Sequence, residues 1–331
     1  MRAWEIEKSS GSCQIPIQFT EDNEALWVEQ GTASAKYLDE SVRRYWGSRV
    51  PGSLFRDTMA VAAIQATENR GRVVKDSDKL LLAGFRAITE QDTVELHRAT
   101  HRLFEACRDA EIDPASDYWS CRLYDTFEEY AEAAALPAPA AVDLGDDLED
   151  RIFAGWLCQI IGGAYGTCME GYITDNIMKA YRDLRRYVRE PNTYNDDITY
   201  ELALLCAYEK NGKETGGKDI AYEWLARLDF GWSAEDMALR NLRCGIMPPE
   251  SGRFNNPWGE WIGAQIRGDY FGYINPGDPE KAAEMAYRDA CISHVKNGIY
   301  GELFVAAALA VAAVTDNIED IILGSLAQIP Y

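Results

Sequence analysis

Asp196 and Asp197 stand side by side in "EPNTYNDDITYELALL", residues 190–205, directly after Asn195, where a polar turn gives way to helical apolar spacing. Carboxylates in a first helical turn answer free N–H groups and the positive helix end, and one Asp would serve for that. Successive helical side chains point about 100° apart, so two neighbours reach different targets. A pair of divalent cations with hard oxygen ligands around them is one such target, and Asn195 adds a neutral oxygen. The spacing accommodates both capping and metal binding. A second candidate is Glu170, in "DRIFAGWLCQIIGGAYGTCMEGYITDNI", residues 150–177. It follows Gly155, Gly162, Gly163 and Gly166, each costing about 1 kcal/mol in a helix interior relative to Ala. Close approach of a neighbouring backbone or a ligand is the expected reason for them. No β-run precedes "GGAYG", so the stretch is not a dinucleotide fingerprint.

Residues 258–302, beginning "WGEWIGAQIRGDYFGY", form the other rich stretch. Gly263, Gly268, Gly272, Pro276 and Gly277 build turns, Arg267 suits a phosphate, and Tyr270, Phe271 and Tyr273 suit stacking on a base or ribose. His294, near the end of a helix starting around Pro279, is either a ligand contact or a structural residue. His97 and His101 have the i, i+4 spacing that can hold zinc, but no HExxH surrounds them and Arg98 and Arg102 flank them.

Helices must position these groups. Up to about residue 132 the chain is polar and helix-rich. In "QDTVELHRATHRLFEACRDAEI", Val94, Leu96, Ala99, Leu103, Phe104 and Cys107 fall along one side before Asp113-Pro114. "AAALPAPAAVDLGDD", residues 133–147, reads as an extended linker. It divides an N-terminal helical domain, 1–140, from a compact all-α domain, 141–331. In the second, Ile152, Phe153, Trp156, Leu157, Ile160 and Ile161 mark a buried helix. "LFVAAALAVAAV", residues 303–314, is too short to span a bilayer and reads as a core helix.

The net charge of −21 argues against general nucleic-acid binding and makes an anionic ligand hard to hold without local cations. The eight cysteines are scattered without a CxxC, so reduced thiols and a cytoplasmic setting are expected. No apolar signal region opens the chain.

Taken in order, "RIFAGWLCQIIGGAYGTCMEGY", "TYNDDITYELAL", "WIGAQIR" and "SHVKNGIYGELFVAAALAVA" resemble the ADP-ribosylglycohydrolase family over about residues 148–331. The resemblance implies an orthogonal all-α bundle, two magnesium ions in the cleft, and hydrolysis of the bond joining ADP-ribose to an acceptor. It implies that Glu170 approaches the metals and the scissile ribose. Asn195, Asp196 and Asp197 would match a Thr-Asp-Asp metal motif, Gly263 and Arg267 would line the ADP-ribose cleft, and His294 would lie near the ligand. Three departures stand out: Asn195 replaces Thr, Gly162-Gly163 replaces Gly-Asp, and no Asp-x-Asp-Thr motif follows residue 302. The last implies a fragment, or a chain lacking half the metal site, with the 303–314 helix short of a neighbour. The alternative to a hydrolase is a non-catalytic ADP-ribose-binding or structural protein, with oligomerisation open.

Overall fold

The computed structural model describes residues 2–16, 18, 20–134, 143–190 and 195–330; the centre of the Ala/Pro linker, 135–142, lies outside them. The chain is mostly helical, consistent with the all-α bundle expected from the resemblance. The N-terminal part contributes α1 (Ala3–Cys13), α2 (Glu21–Gly47), α3 (Met59–Asn69), α4 (Ser77–Glu90), α5 (Thr93–Arg108) and α6 (Phe127–Ala134). After the linker come α7 (Leu148–Gly166), α8 (Thr174–Tyr181), α9 (Asp196–Asn211), α10 (Gly217–Arg227) and α11 (Ser233–Arg243). These are followed by α12 (Glu250–Arg253), α13 (Asp269–Tyr273), α14 (Pro279–Ala290), α15 (Asn297–Ala312) and α16 (Ile318–Leu326). Two short antiparallel pairs join helices: β1 (Ser48–Arg49) with β2 (Arg56–Asp57), and β3 (Arg72–Val73) with β4 (Glu111–Ile112).

Helix α5 follows its sequence pattern closely. Asp92 caps it by accepting the Glu95 N–H at 2.9 Å, and Leu96, Ala99, Leu103, Phe104 and Cys107 are buried. Val94 is the exception: it is 60% exposed, because at about 100° per residue it falls on the side of the helix opposite Leu96, Leu103 and Cys107. Around α5 lies one core, with Trp46, Met59, Ala63 and Ile64. Trp46 donates its indole N–H to Thr100 Oγ1 at 2.7 Å. This core also takes in Ala234, Met237 and Trp258 from beyond the linker. Trp258 is fully buried, parallel to Tyr45 and edge-on to Phe104. A buried aromatic of this size withdraws 150–250 Å², worth about 4–6 kcal/mol at ~25 cal/mol per Å².

The second core gathers α9, α10, α11, α14 and α15 around Trp224, and includes Tyr124 and Tyr130 from before the linker. Helix α15 carries "LFVAAALAVA" and is a core helix as expected, with Leu303, Ala306, Ala307 and Ala310 buried. It does not want for neighbours: α13, α14 and α16 all pack on it. The exposed apolar surface lies elsewhere. No residue of α7 is buried, and Phe153, Leu157, Ile160 and Ile161 are exposed, which corrects the reading of a buried helix. Trp156 meets Tyr273 and Tyr270, and Gly155 lets the Tyr273 ring approach where a Cβ would sit 2.7 Å from the hydroxyl.

Candidate functional site

Asn195, not either aspartate, caps α9: its Oδ1 accepts the Ile198 N–H at 3.2 Å. Gly163 explains how α7 reaches this point, since a Cβ there would lie 2.6 Å from Asn195 Nδ2. Gly162 and Gly166, by contrast, face open space. Asp196 and Asp197 also take backbone N–H groups of this first turn, and the Asn195 side chain reaches Asp197, but neither carboxylate has a cationic partner in an ion pair among the described residues. Burial raises both. Asp197 is pushed up to about 6, by burial first and then by the charge of Asp196. Asp196 also feels the distant positive charge of Arg267.

Glu170 follows α7 in the turn leading to α8 and comes within electrostatic range of the pair. Its carboxyl is raised by partial burial and then by Asp196, Asp197 and Asp57, in that order. Two further acids extend the cluster. Glu201, on α9, is buried and pushed up to about 9, by burial and then by Asp269. Its Oε1 accepts the Tyr270 N–H at 3.2 Å, and the Gln159 side chain approaches the same carboxyl. Asp269, at the start of α13, is pushed up to about 6, chiefly by burial. Among the described residues, no Lys or Arg forms an ion pair with any of these acids. Glu201 follows Asp197 by four, so helical spacing alone places it on the same face. Asp57 and Asp269 carry no comparable local signal.

The donors fit a hard divalent cation in kind: unpaired carboxylates whose mutual repulsion such an ion would relieve. Among the described residues, however, no three His, Cys, Asp or Glu side chains are drawn into one ligand shell.

Three expected ligand contacts are placed elsewhere. Arg267 is 1% exposed. It donates to Asp289 at 2.5 Å, Glu235 at 3.1 Å and Ser293 at 2.9 Å, and lies over the Trp224 and Tyr200 rings. A guanidinium so engaged is part of the core and is not presented to a phosphate. Gly263 is small because Glu235 crowds it, its Cβ position falling 1.8 Å from Glu235 Oε1. His294 is buried against Ser293 Oγ, 2.7 Å from Nδ1, and its protonation is suppressed by burial first and then by Arg267. Tyr270, Phe271 and Tyr273 are likewise buried and offer no open stacking platform. His97 pairs with Asp39 at 2.9 Å and stacks on His101.

No curated protein and no solved structure matches the chain. One family does: ADP-ribosylglycohydrolase, over residues 144–331, which takes in α7 with its following turn, α9 and every helix to α16. With more than half of the chain matched, and with Glu170 and the Asp196–Asp197 pair lying inside the matched part, the chain belongs to the ADP-ribosylglycohydrolase family.

Proposed function

We propose that this chain hydrolyses the glycosidic bond between ADP-ribose, or a related nucleoside diphosphate ribose, and an acceptor. Members of its family act on ADP-ribosylated substrates and typically use magnesium. The observation that supports the reading is the approach of Glu170, from the turn after α7, to Asp196 and Asp197 at the start of α9. Cleavage of such a bond passes through an oxocarbenium-like state. Asp197 would stabilise the positive charge growing on the ribose. Glu170, whose affinity for a proton is raised by burial and then by its acidic neighbours, would take one from the attacking water. A divalent ion held by Asp196, Asp197 and Glu170 would offset their repulsion, polarise ribose hydroxyls and reconcile an anionic ligand with a protein of net charge −21.

Magnesium is expected to bind weakly, because these carboxylates supply only a few of its six oxygens and are not gathered into one shell. That same observation favours the second reading, a protein that binds ADP-ribose without cleaving it. Calorimetric titration with magnesium, beside hydrolysis of an ADP-ribosylated peptide, separates the two. Glu170→Gln should lower kcat by about 10²–10⁴-fold without lowering the melting temperature, since it removes a charge its acidic neighbours repel. Binding of ADP-ribose without turnover by the unmodified chain would favour the second reading. Tight binding of two ions with rapid turnover would mean that other residues complete the site.

A further inference from the structure

We propose that the β1–β2 hairpin, which precedes the family-matched region, is a component of the acidic site, with Phe55 as the positioning residue for the turn that carries Glu170. The inference rests on the hydrolase reading for its kinetic consequence, but its structural basis is independent of it. The two residues after Glu170 are both held by this hairpin. Gly171 has φ +82°, and a Cβ there would lie 2.4 Å from Phe55 Cγ, so both the backbone and the Phe55 ring require glycine. Tyr172 meets Phe55 edge-on, with ring centroids 5.4 Å apart, and donates its hydroxyl to the Ser53 carbonyl at 3.2 Å.

The hairpin is firmly footed. Ser48 pairs with Asp57 and Arg49 with Arg56, and the Val50 N–H donates to the Phe55 carbonyl at 2.9 Å. Helix α2 runs directly into β1. Past Thr58, β2 leads to Met59 and Ala60 of α3, buried in the first core. The turn it grips is poorly anchored by itself. Helix α7 has no buried residue, and the backbone bonds at 166–172 are local: Met169 N–H to Gly166 O at 2.7 Å, and Tyr172 N–H to Met169 O at 3.2 Å. Beyond these, Arg189 Nε reaches Cys168 Sγ at 3.1 Å. Among the described residues, the contacts of Phe55 and Ser53 with Gly171 and Tyr172 tie the Glu170 turn to the hairpin, beside the Gly163–Asn195 contact that joins α7 to α9. The same hairpin brings Asp57 alongside Glu170.

The test compares the 331-residue chain with Phe55→Ala and the conservative Phe55→Tyr, by amide hydrogen exchange and by steady-state hydrolysis of an ADP-ribosylated peptide. Phe55→Ala is expected to speed exchange at 167–173 by about tenfold or more while α9 and α14 keep their protection. It should lower kcat by about tenfold, with KM within about threefold. Phe55→Tyr should restore both. Unchanged exchange at 167–173 overturns the proposal, as does acceleration spread evenly over all helices, which would mark simple loss of stability. If the unmodified chain shows no hydrolysis, the hydrolase reading fails, and the exchange pattern still decides the role of Phe55.

Discussion

A guanidinium held by two carboxylates and two aromatic rings inside a core can serve a ligand only by abandoning those partners. Removing Arg267 should therefore unfold the protein more than it weakens any ligand. Arg267→Met leaves Asp289 and Glu235 buried without their cation, a change that typically costs about 3–5 kcal/mol; a chemical denaturation curve checks it. Glu201 makes a second residue-scale prediction. Its folded carboxyl is pushed up to about 9, above the ordinary glutamate value, so the folded state holds a proton that the unfolded chain releases. The associated stability is fully present below the unfolded pKa of about 4.5 and is lost as pH rises toward 9. Glu201→Gln keeps an acceptor for the Tyr270 N–H and cannot ionise. It should melt above the unmodified protein at pH 8, with the gap closing toward pH 4.5. An equal offset at both pH values would contradict this. Motif order singles out Glu170 and the Asp196–Asp197 pair, and the fold brings them within electrostatic range of one another. The burial of Arg267 is not readable from sequence, because its partners Glu235 and Asp289 lie 32 and 22 residues away and no local pattern announces a buried ion pair.

At the scale of elements, the glycines of α7 separate into two kinds. Gly163 sits against the Asn195 amide, whereas Gly162 faces open space. Gly162→Ala should raise stability by about 0.5–1 kcal/mol through helix propensity alone. Gly163→Ala should lower it and disturb the start of α9, where Asp196 and Asp197 reside. Thermal melts of the two variants, with opposite signs, test the assignment. The sequence pattern read α5 correctly because a polar helix with one apolar stripe leaves little choice of face. It misread α7 because apolar residues all round say that a helix seeks cover and do not say where cover is found. Phe55 had no signal at all: its partner Gly171 lies more than a hundred residues along the chain.

For the whole molecule, the Ala/Pro stretch remains the expected cleavage point, since proline among small residues favours an extended, accessible chain. Limited proteolysis should cut first within 133–147. The two pieces should then remain together on a sizing column, because each core holds side chains from both sides of the cut. Early cuts elsewhere with this stretch intact, or pieces that separate freely, would show that the shared cores bind less than their burial suggests.

The sharing of the first core has a consequence for how the chain is made. A protein emerges from the ribosome from its N-terminus, and domains usually fold as they appear. Here the first hundred or so residues emerge long before Ala234, Met237 and Trp258, which complete their core. Until then Tyr45 and Phe104 lack the indole that fills the space beside them. Contacts of such long sequence separation form slowly. The N-terminal core can therefore be completed only after Trp258 has been synthesised, and its last packing step belongs to the later part of synthesis.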